Sequence, residues 1–339
     1  MLIYKNIPLK KYNSFGLDYL ADSLICIKTE KEAALLFRQD IALKKPFLIL
    51  GSGSNILFTS DFNGTILHPE MSGIRVEKQD KESVIISAGA GVNWDKLVEW
   101  TVNKGLGGLE NLSLIPGMVG ATPVQNIGAY GAEVKDLIEK VRTINISNGS
   151  IRIFSKNECD FGYRDSIFKK SEKGKYLITR VYYKLNISPL LHIKYGSLEE
   201  EVNKLGSVTL KNVRQAVINI RKSKLPDPGI IGNAGSFFRN PVVARSFADN
   251  IKKDFPHVPV YEDQSGGIKV AAAWLIDKCG WKGKRIGDAG VHDKQALVLV
   301  NYGKATGTEI YNLSEEIRKS VFNKFRVELE PEVEVVGPI

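Results

Sequence analysis

Seven glycines fall within 27 residues of this chain, at positions 105, 107, 108, 117, 120, 128 and 131. The segment reads Gly105-Leu-Gly-Gly-Leu-Glu-Asn-Leu-Ser-Leu-Ile-Pro-Gly117, then Met118-Val-Gly-Ala-Thr-Pro-Val-Gln-Asn126, then Ile127-Gly-Ala-Tyr-Gly131. Small, hydroxyl and amide side chains stand between the glycines, which makes a poor core. Glycine allows close approach and positive φ, and free backbone N–H groups bind phosphate. The segment therefore suits a backbone laid against a large flat ligand, and a loop of this length inside a compact domain is usually functional.

A second glycine loop, Gly51-Ser-Gly-Ser-Asn55, follows a short apolar run at 46–50. That is where a backbone cradle for phosphates would sit. Ile56 occupies the third position of a GxGxxG pattern, so the dinucleotide fingerprint is absent, and so is the lysine of a phosphate-binding P-loop. Taken alone, the loop reads as a turn.

The bulk properties narrow the class. A chain of 339 residues is too long for one ordinary core, and 43% hydrophobic with 25% charged residues is a globular balance. No apolar run reaches the 18 residues of a membrane helix. The N-terminal MLIYKNIPLKKYNSFG lacks the apolar stretch of a signal peptide, so a cytoplasmic location is expected. Cys26, Cys159 and Cys279 are odd in number and widely spaced, giving neither a disulfide framework nor a zinc site. No metal is expected. The sequons at Asn111, Asn145 and Asn186 carry no weight in that compartment. The net charge of +9 comes from scattered residues and short pairs such as Lys10-Lys11, so no nucleic-acid partner is expected. Phosphorylated small molecules account for local cations equally well.

Strand-like and helix-like segments alternate, and local pattern leaves α+β and α/β both open. Helices are expected over 31–44, over 94–103 behind an Asn93 cap, from a Thr209 cap to Arg221, over 268–278, and over 308–324. Strands are expected at 46–50, 84–87, 177–183 and 296–300. The stretch 327–335 alternates strictly, with Val327, Leu329, Pro331, Val333 and Val335 opposite Glu328, Glu330, Glu332 and Glu334. Pattern alone makes it an edge strand blunted by charge and proline.

The glycine-dense segment resembles the flavin-binding core of the UDP-N-acetylenolpyruvoylglucosamine reductases, within a wider superfamily of FAD-binding oxidoreductases. Further motifs follow in that family's order. Asn13-Ser-Phe-Gly16 is similar to its N-terminal signature, and Leu50-Gly-Ser-Gly-Ser-Asn-Ile-Leu57 to its first pyrophosphate loop. Tyr163-Arg-Asp-Ser166, Lys224-Leu-Pro-Asp-Pro228, Gly232-Asn-Ala-Gly-Ser-Phe-Phe-Arg-Asn-Pro241 and Glu330-Pro-Glu-Val333 complete the set. The resemblance spans essentially the whole chain and includes the tyrosine loop of the longer subtype.

The resemblance implies an α+β, three-domain FAD-binding oxidoreductase of the vanillyl-alcohol-oxidase/p-cresol-methylhydroxylase type with an α+β substrate domain. Its expected boundaries are 1–72 plus 326–339 for one FAD subdomain, 73–225 for the other, and 226–325 for the substrate domain. The implied reaction reduces the enolpyruvyl ether of UDP-N-acetylglucosamine to UDP-N-acetylmuramate, a peptidoglycan precursor. NADPH reduces FAD, flavin N5 passes hydride to the enol β-carbon, and a proton follows at the α-carbon. Arg164 then receives the substrate carboxylate, Ser236 donates the proton, and Glu332 stabilises the enol intermediate. FAD contacts are expected at Gly51, Ser52, Gly53, Ser54, Asn55, Ile115, Pro116, Gly117, Gly120, Ala121, Gln125, Asn126, Gly128, Ala129, Tyr130 and Gly131. Substrate contacts are expected at Tyr163, Arg164, Tyr195, Lys224, Asn240, Tyr261, Lys269 and Gln295. A monomer is expected. Two rivals remain: a sugar or lactone oxidase of the same superfamily, which needs no Arg164, Ser236 and Glu332 set, and a flavin-free basic binding protein, which would purify colourless.

Overall fold

Alternating apolar and polar residues form strands in this chain, and the longest apolar-periodic stretches form its helices. The computed structural model describes residues 1–38, 46–263 and 266–339. They divide into two compact units: one holds 1–7, 21–52 and 63–223, the other 8–20, 53–62 and 224–339.

The first unit contains two sheets. A four-stranded sheet runs in the order Leu2–Pro8, Leu20–Ile27, Phe62–Pro69, Phe47–Ile49. The helix Glu30–Arg38 lays Ala33, Leu36 and Phe37 on a core with Ile25, Ile27 and Leu67. The rest of the expected helix, 39–44, lies outside the described residues. A five-stranded antiparallel sheet runs Ile151–Ser155, Ile138–Asn145, Tyr176–Asn186, Ser83–Gly89, Ile74–Gln79. The helix Trp94–Asn103 packs Trp94, Leu97, Val98 and Val102 into its core. Asn93 caps that helix as expected, its side chain accepting from the Lys96 N–H, and Gly105 turns the chain with φ +73°.

One ion pair fastens this unit together. Asp95, in the first turn of the Trp94–Asn103 helix, accepts from both terminal nitrogens of Arg214 at 2.6 and 2.8 Å and from the Leu114 N–H at 2.6 Å. It thereby joins that helix, the glycine-rich segment and the helix Leu210–Lys224. Burial works against its charge, but the Arg214 and Leu114 hydrogen bonds and the charges of Arg214 and Arg221 outweigh it, holding the carboxyl below the usual aspartate value.

In the second unit the sheet order is Gly232–Ser236, Val298–Asn301, Ala289–Val291, Arg285–Ile286, with antiparallel neighbours. A smaller sheet pairs Ile268–Val270 with Val242–Val243 and Val260–Glu262. This corrects the helix expected over 268–278: only Ala272–Lys278 is helical, because residues 268–270 find strand partners on both sides. The helix Gly307–Phe325 opens with a capping box between Thr306 and Glu309 and buries Ile310, Leu313, Ile317 and Val321. The expected terminal strand is shorter than its pattern. Val327, Leu329 and Val333 are buried, but a ladder forms only at Glu334–Val336, parallel to Ile56–Phe58. Pro331 lacks an N–H and is limited to an isolated bridge with Phe238.

The N-terminal signature holds this unit's loops in place. Asn13 donates to the Leu9 and Leu17 carbonyls and accepts from the Leu17 N–H, shaping the turn. The Ser14 N–H donates to the Gly53 carbonyl at 3.1 Å, and the Ser14 carbonyl accepts from Asn233 at 3.0 Å. A Cβ on Gly53 would overlap the Tyr12 carbonyl and lie 2.8 Å from the Asn13 Cα, and one on Gly232 would overlap the Phe15 carbonyl.

Two measurements follow. Gly53→Ala combines a φ of +64° with a backbone overlap and should lower the unfolding free energy by roughly 2–4 kcal/mol in urea titrations. Gly73→Ala, at φ +90° with open space around it, should lose only about 1 kcal/mol. Asp95→Asn should lose about 1–3 kcal/mol at neutral pH. Because the folded pKa lies below the unfolded one, this stabilisation is full above about pH 4 and disappears as pH falls through the folded value, so the gap to wild type should close in acid.

Candidate active site

Backbone strain in the first unit concentrates on the glycine-rich segment. Of the seven non-glycine residues with positive φ among those described, Leu114, Asn126, Tyr130 and Arg164 lie in this segment or bond to it. Such conformations carry a cost of order 1–3 kcal/mol each and cluster where a backbone must present itself to a ligand. Gly117 and Gly131 add φ of +147° and +79°. Gly120 sits so close to Ala90 that a Cβ would come within 2.7 Å of the alanine's own.

Arg164 is fixed at the edge of this segment. Its Nη2 donates to the Gly128 carbonyl at 2.6 Å, its Nη1 reaches the Asn126 carbonyl at 3.5 Å, and the guanidinium lies 5.4 Å from the Tyr163 ring centre. Asp165, the acid next to it in sequence, pairs instead with Lys170 at 3.0 Å. A Cβ at Gly128 would stand 2.8 Å from Arg164 Nη1, which explains a glycine there. Asn126, expected among the cofactor residues, spends its buried side chain on structure: it donates to Glu133 and the Gly162 carbonyl and accepts from the Lys135 N–H.

The tyrosine loop docks on the same segment. Tyr195 meets Tyr130 edge-on, with ring centres 6.2 Å apart. Asn111, passed over in the sequence as a sequon, is 2% exposed and donates to the carbonyls of both Tyr130 and His192. It therefore ties the loop to the segment. The only signal for this was a polar pair, Glu110 and Asn111, set between Leu109 and Leu112, since polar side chains demand hydrogen-bond partners when buried.

In the second unit Ser236 ends the strand Gly232–Ser236, and Gly235 before it has φ +70°. The next residue, Phe237, accepts the Glu332 N–H at 2.8 Å. The Glu332 carbonyl in turn accepts from the Asn55 side chain at 3.0 Å, and the Glu334 N–H donates to the Asn55 carbonyl. Phe237 (next to Ser236), Glu332 and the end of the first glycine loop are thus joined in one hydrogen-bond network. Glu330, which pattern could not separate from Glu332, forms an ion pair with Arg239.

The remaining expected substrate residues differ in freedom. Lys224, Tyr195 and Tyr261 are exposed, the tyrosines at 49% and 48%. Asn240 accepts the Ala272 N–H at 3.0 Å, so it anchors the start of the Ala272–Lys278 helix. Lys269 forms a 2.7 Å ion pair with Asp263, against which any phosphate must compete. Gln295 turns back on its own loop, accepting weakly from the Leu297 N–H at 3.4 Å.

The residues present fit a bound FAD. Ser52, in the first loop, has a buried hydroxyl with no hydrogen-bond partner among the described residues, at the position where a pyrophosphate oxygen or its bridging water is expected.

Comparison with known proteins agrees with this geometry. Residues 21–155 match the model of an FAD binding domain, and residues 227–336 match that of the UDP-N-acetylenolpyruvoylglucosamine reductase C-terminal domain. A solved UDP-N-acetylenolpyruvylglucosamine reductase from Thermus caldophilus superposes with a TM-score of 0.69 at 24% identity, covering 99% of this chain and 100% of that one. A solvent-stable cholesterol oxidase superposes with a TM-score of 0.51 at 11% identity, covering 98% of this chain and 86% of that one. Both likenesses concern the fold, which is the expected α+β FAD-binding type. Among curated relatives, UDP-N-acetylenolpyruvoylglucosamine reductase of Bacteroides fragilis is 44% identical, covering 97% of this chain and 98% of the relative. That of Flavobacterium johnsoniae is 46% identical, covering 99% of this chain and 100% of its own length. With such identity sustained from end to end, the chain belongs to the UDP-N-acetylenolpyruvoylglucosamine reductase family.

Proposed function

We propose that this chain reduces the enolpyruvyl ether of UDP-N-acetylglucosamine to UDP-N-acetylmuramate, using NADPH and bound FAD. The observation that carries the chemistry is the anchoring of Glu332 by its backbone between Phe237, next to Ser236, and Asn55 of the first glycine loop. That network supports a shared role for a hydroxyl and a carboxyl that lie 96 positions apart in the chain.

Bound FAD, held by the backbone of 51–55 and 115–131, would supply hydride-transfer chemistry, with NADPH as the source of the hydride added at the enol β-carbon. Electron density then collects at the α-carbon and spreads into the carboxylate. Arg164 receives that carboxylate with the planar fork of its guanidinium, already oriented by the Gly128 carbonyl. Ser236 donates its hydroxyl proton to the α-carbon, completing addition of hydride and proton across the double bond. Glu332 stabilises the enol form from its fixed backbone. Tyr195, Lys224, Asn240, Tyr261, Lys269 and Gln295 contact the UDP-sugar together with Tyr163.

Residues 226–325 form the substrate domain in this reading, and the segments 1–72 with 326–339 and 73–225 form the two FAD subdomains. The pairing of Glu334–Val336 with Ile56–Phe58 supports the return of the C-terminus to the first of these. The enzyme acts as a cytoplasmic monomer without a nucleic-acid partner. No helix among the described residues is long and apolar enough to cross a membrane.

Ser236→Ala tests the assignment. The variant should purify with flavin and keep NADPH-dependent flavin reduction, while turnover of the enol ether falls by roughly 10²–10⁴-fold. Wild-type turnover in this variant would remove Ser236 as the proton donor.

A further inference from the structure

The helix Leu210–Lys224 presents two arginines seven residues apart, Arg214 and Arg221, which a helical period places on one stripe. Their surroundings differ. Arg214 has the Asp95 carboxylate in a two-pronged grip. Arg221 makes no hydrogen bond or ion pair with any described residue, and its Nε is buried without a partner. The side chain as a whole is only partly exposed. Burial pushes its pKa down, with the Tyr130 phenol and Asp95 carboxylate acting in the opposite direction. Asp95 makes no ion pair with it; its oxygens accept from Arg214 and the Leu114 N–H.

An unpaired guanidinium in a desolvated place is unfavourable, since the Coulombic gain that would offset lost hydration is missing. Its location gives the imbalance a purpose. Tyr130 packs on the apolar face of the same helix, against the cluster of Val213, Val217 and Ile220. Arg221 therefore borders the segment whose backbone strain marks it as ligand-facing.

We propose that Arg221 is an anion-binding residue of this site, whose guanidinium receives phosphate oxygens of a bound nucleotide diphosphate beside Tyr130. The inference rests on the flavin and UDP-sugar reading given above. A diphosphate carries the lasting charge and the paired oxygens that an arginine fork matches. Two molecules bring one here: FAD and the UDP-sugar.

The test compares wild type, Arg221→Met and Arg221→Lys as holoproteins. FAD dissociation is followed by the fluorescence of released flavin on dilution, and UDP-N-acetylglucosamine binding by calorimetry. Urea titration of each variant separates misfolding from lost binding. In Arg221→Met, one of the two affinities should weaken by roughly 10- to 100-fold. Arg221→Lys, which keeps the charge and loses the fork, should recover part of it. Weakened FAD binding assigns the contact to the cofactor's pyrophosphate, and weakened UDP-sugar binding assigns it to the substrate. A folded Arg221→Met with both affinities within twofold of wild type would overturn the proposal, as would a shift confined to the flavin midpoint potential. A wild-type chain that holds no flavin would strike the cofactor reading itself, and the calorimetric arm, which needs no flavin, would still decide Arg221.

Discussion

The arrangement of the second unit depends on a short N-terminal strip of backbone with no room for side chains on either side. Ser14 bonds to Gly53 and to Asn233, and Gly53 and Gly232 approach residues 12–15 so closely that a methyl group at either would overlap a carbonyl oxygen. The strip therefore fixes the first glycine loop and the strand carrying Ser236 in one step. The C-terminal segment extends the chain of constraint, since Glu332 bonds to Phe237 just beyond that strand and to Asn55 at the end of that loop. Four sequence regions, around residues 14, 53–55, 232–237 and 332, become neighbours, mostly through backbone hydrogen bonds with one bond from the Asn55 side chain.

The first unit solves a different problem. Residues 21–155, which lie mostly in this unit, match an FAD binding domain, and the glycine-rich segment among them is held in a strained backbone shape. Left-handed conformations at Leu114, Asn126 and Tyr130 supply the shape, and buried polar side chains hold it. Asn126 braces the turn from below, Asn111 ties it to the tyrosine loop, and Asp95 fastens its start to two helices. Asn126 and Asp95 are hydrogen-bonded at both of their terminal atoms, whereas Asn111 uses only its amide N–H groups and leaves its buried Oδ1 without a partner among the described residues.

Much of this was legible in the sequence, and the exceptions have physical causes. The Asn93 cap and the 308–324 helix are local features, and both are found where their residues placed them. Residues 268–270 are not: their strand identity comes from partners at 242–243 and 260–262, which no local pattern contains. Alternation over 327–335 predicted the buried side chains 327, 329 and 333, but burial does not require a ladder, and Pro331 prevents one. The motifs singled out Arg164, Ser236 and Glu332 for the roles proposed here, because family resemblance reads identity and order. It said nothing of Asn111, Asp95 or Arg221, whose importance lies in who is bonded to whom and, for Arg221, in the lack of such a bond among the described residues.

The most direct test is anaerobic. The purified protein's flavin is reduced with NADPH, the excess is removed, and the enolpyruvyl ether of UDP-N-acetylglucosamine is added while the flavin absorbance is followed. The account predicts rapid return of the oxidised spectrum with that compound and none with UDP-N-acetylglucosamine itself. A flavin that stays reduced in its presence would contradict the account and move the activity elsewhere among FAD-dependent enzymes.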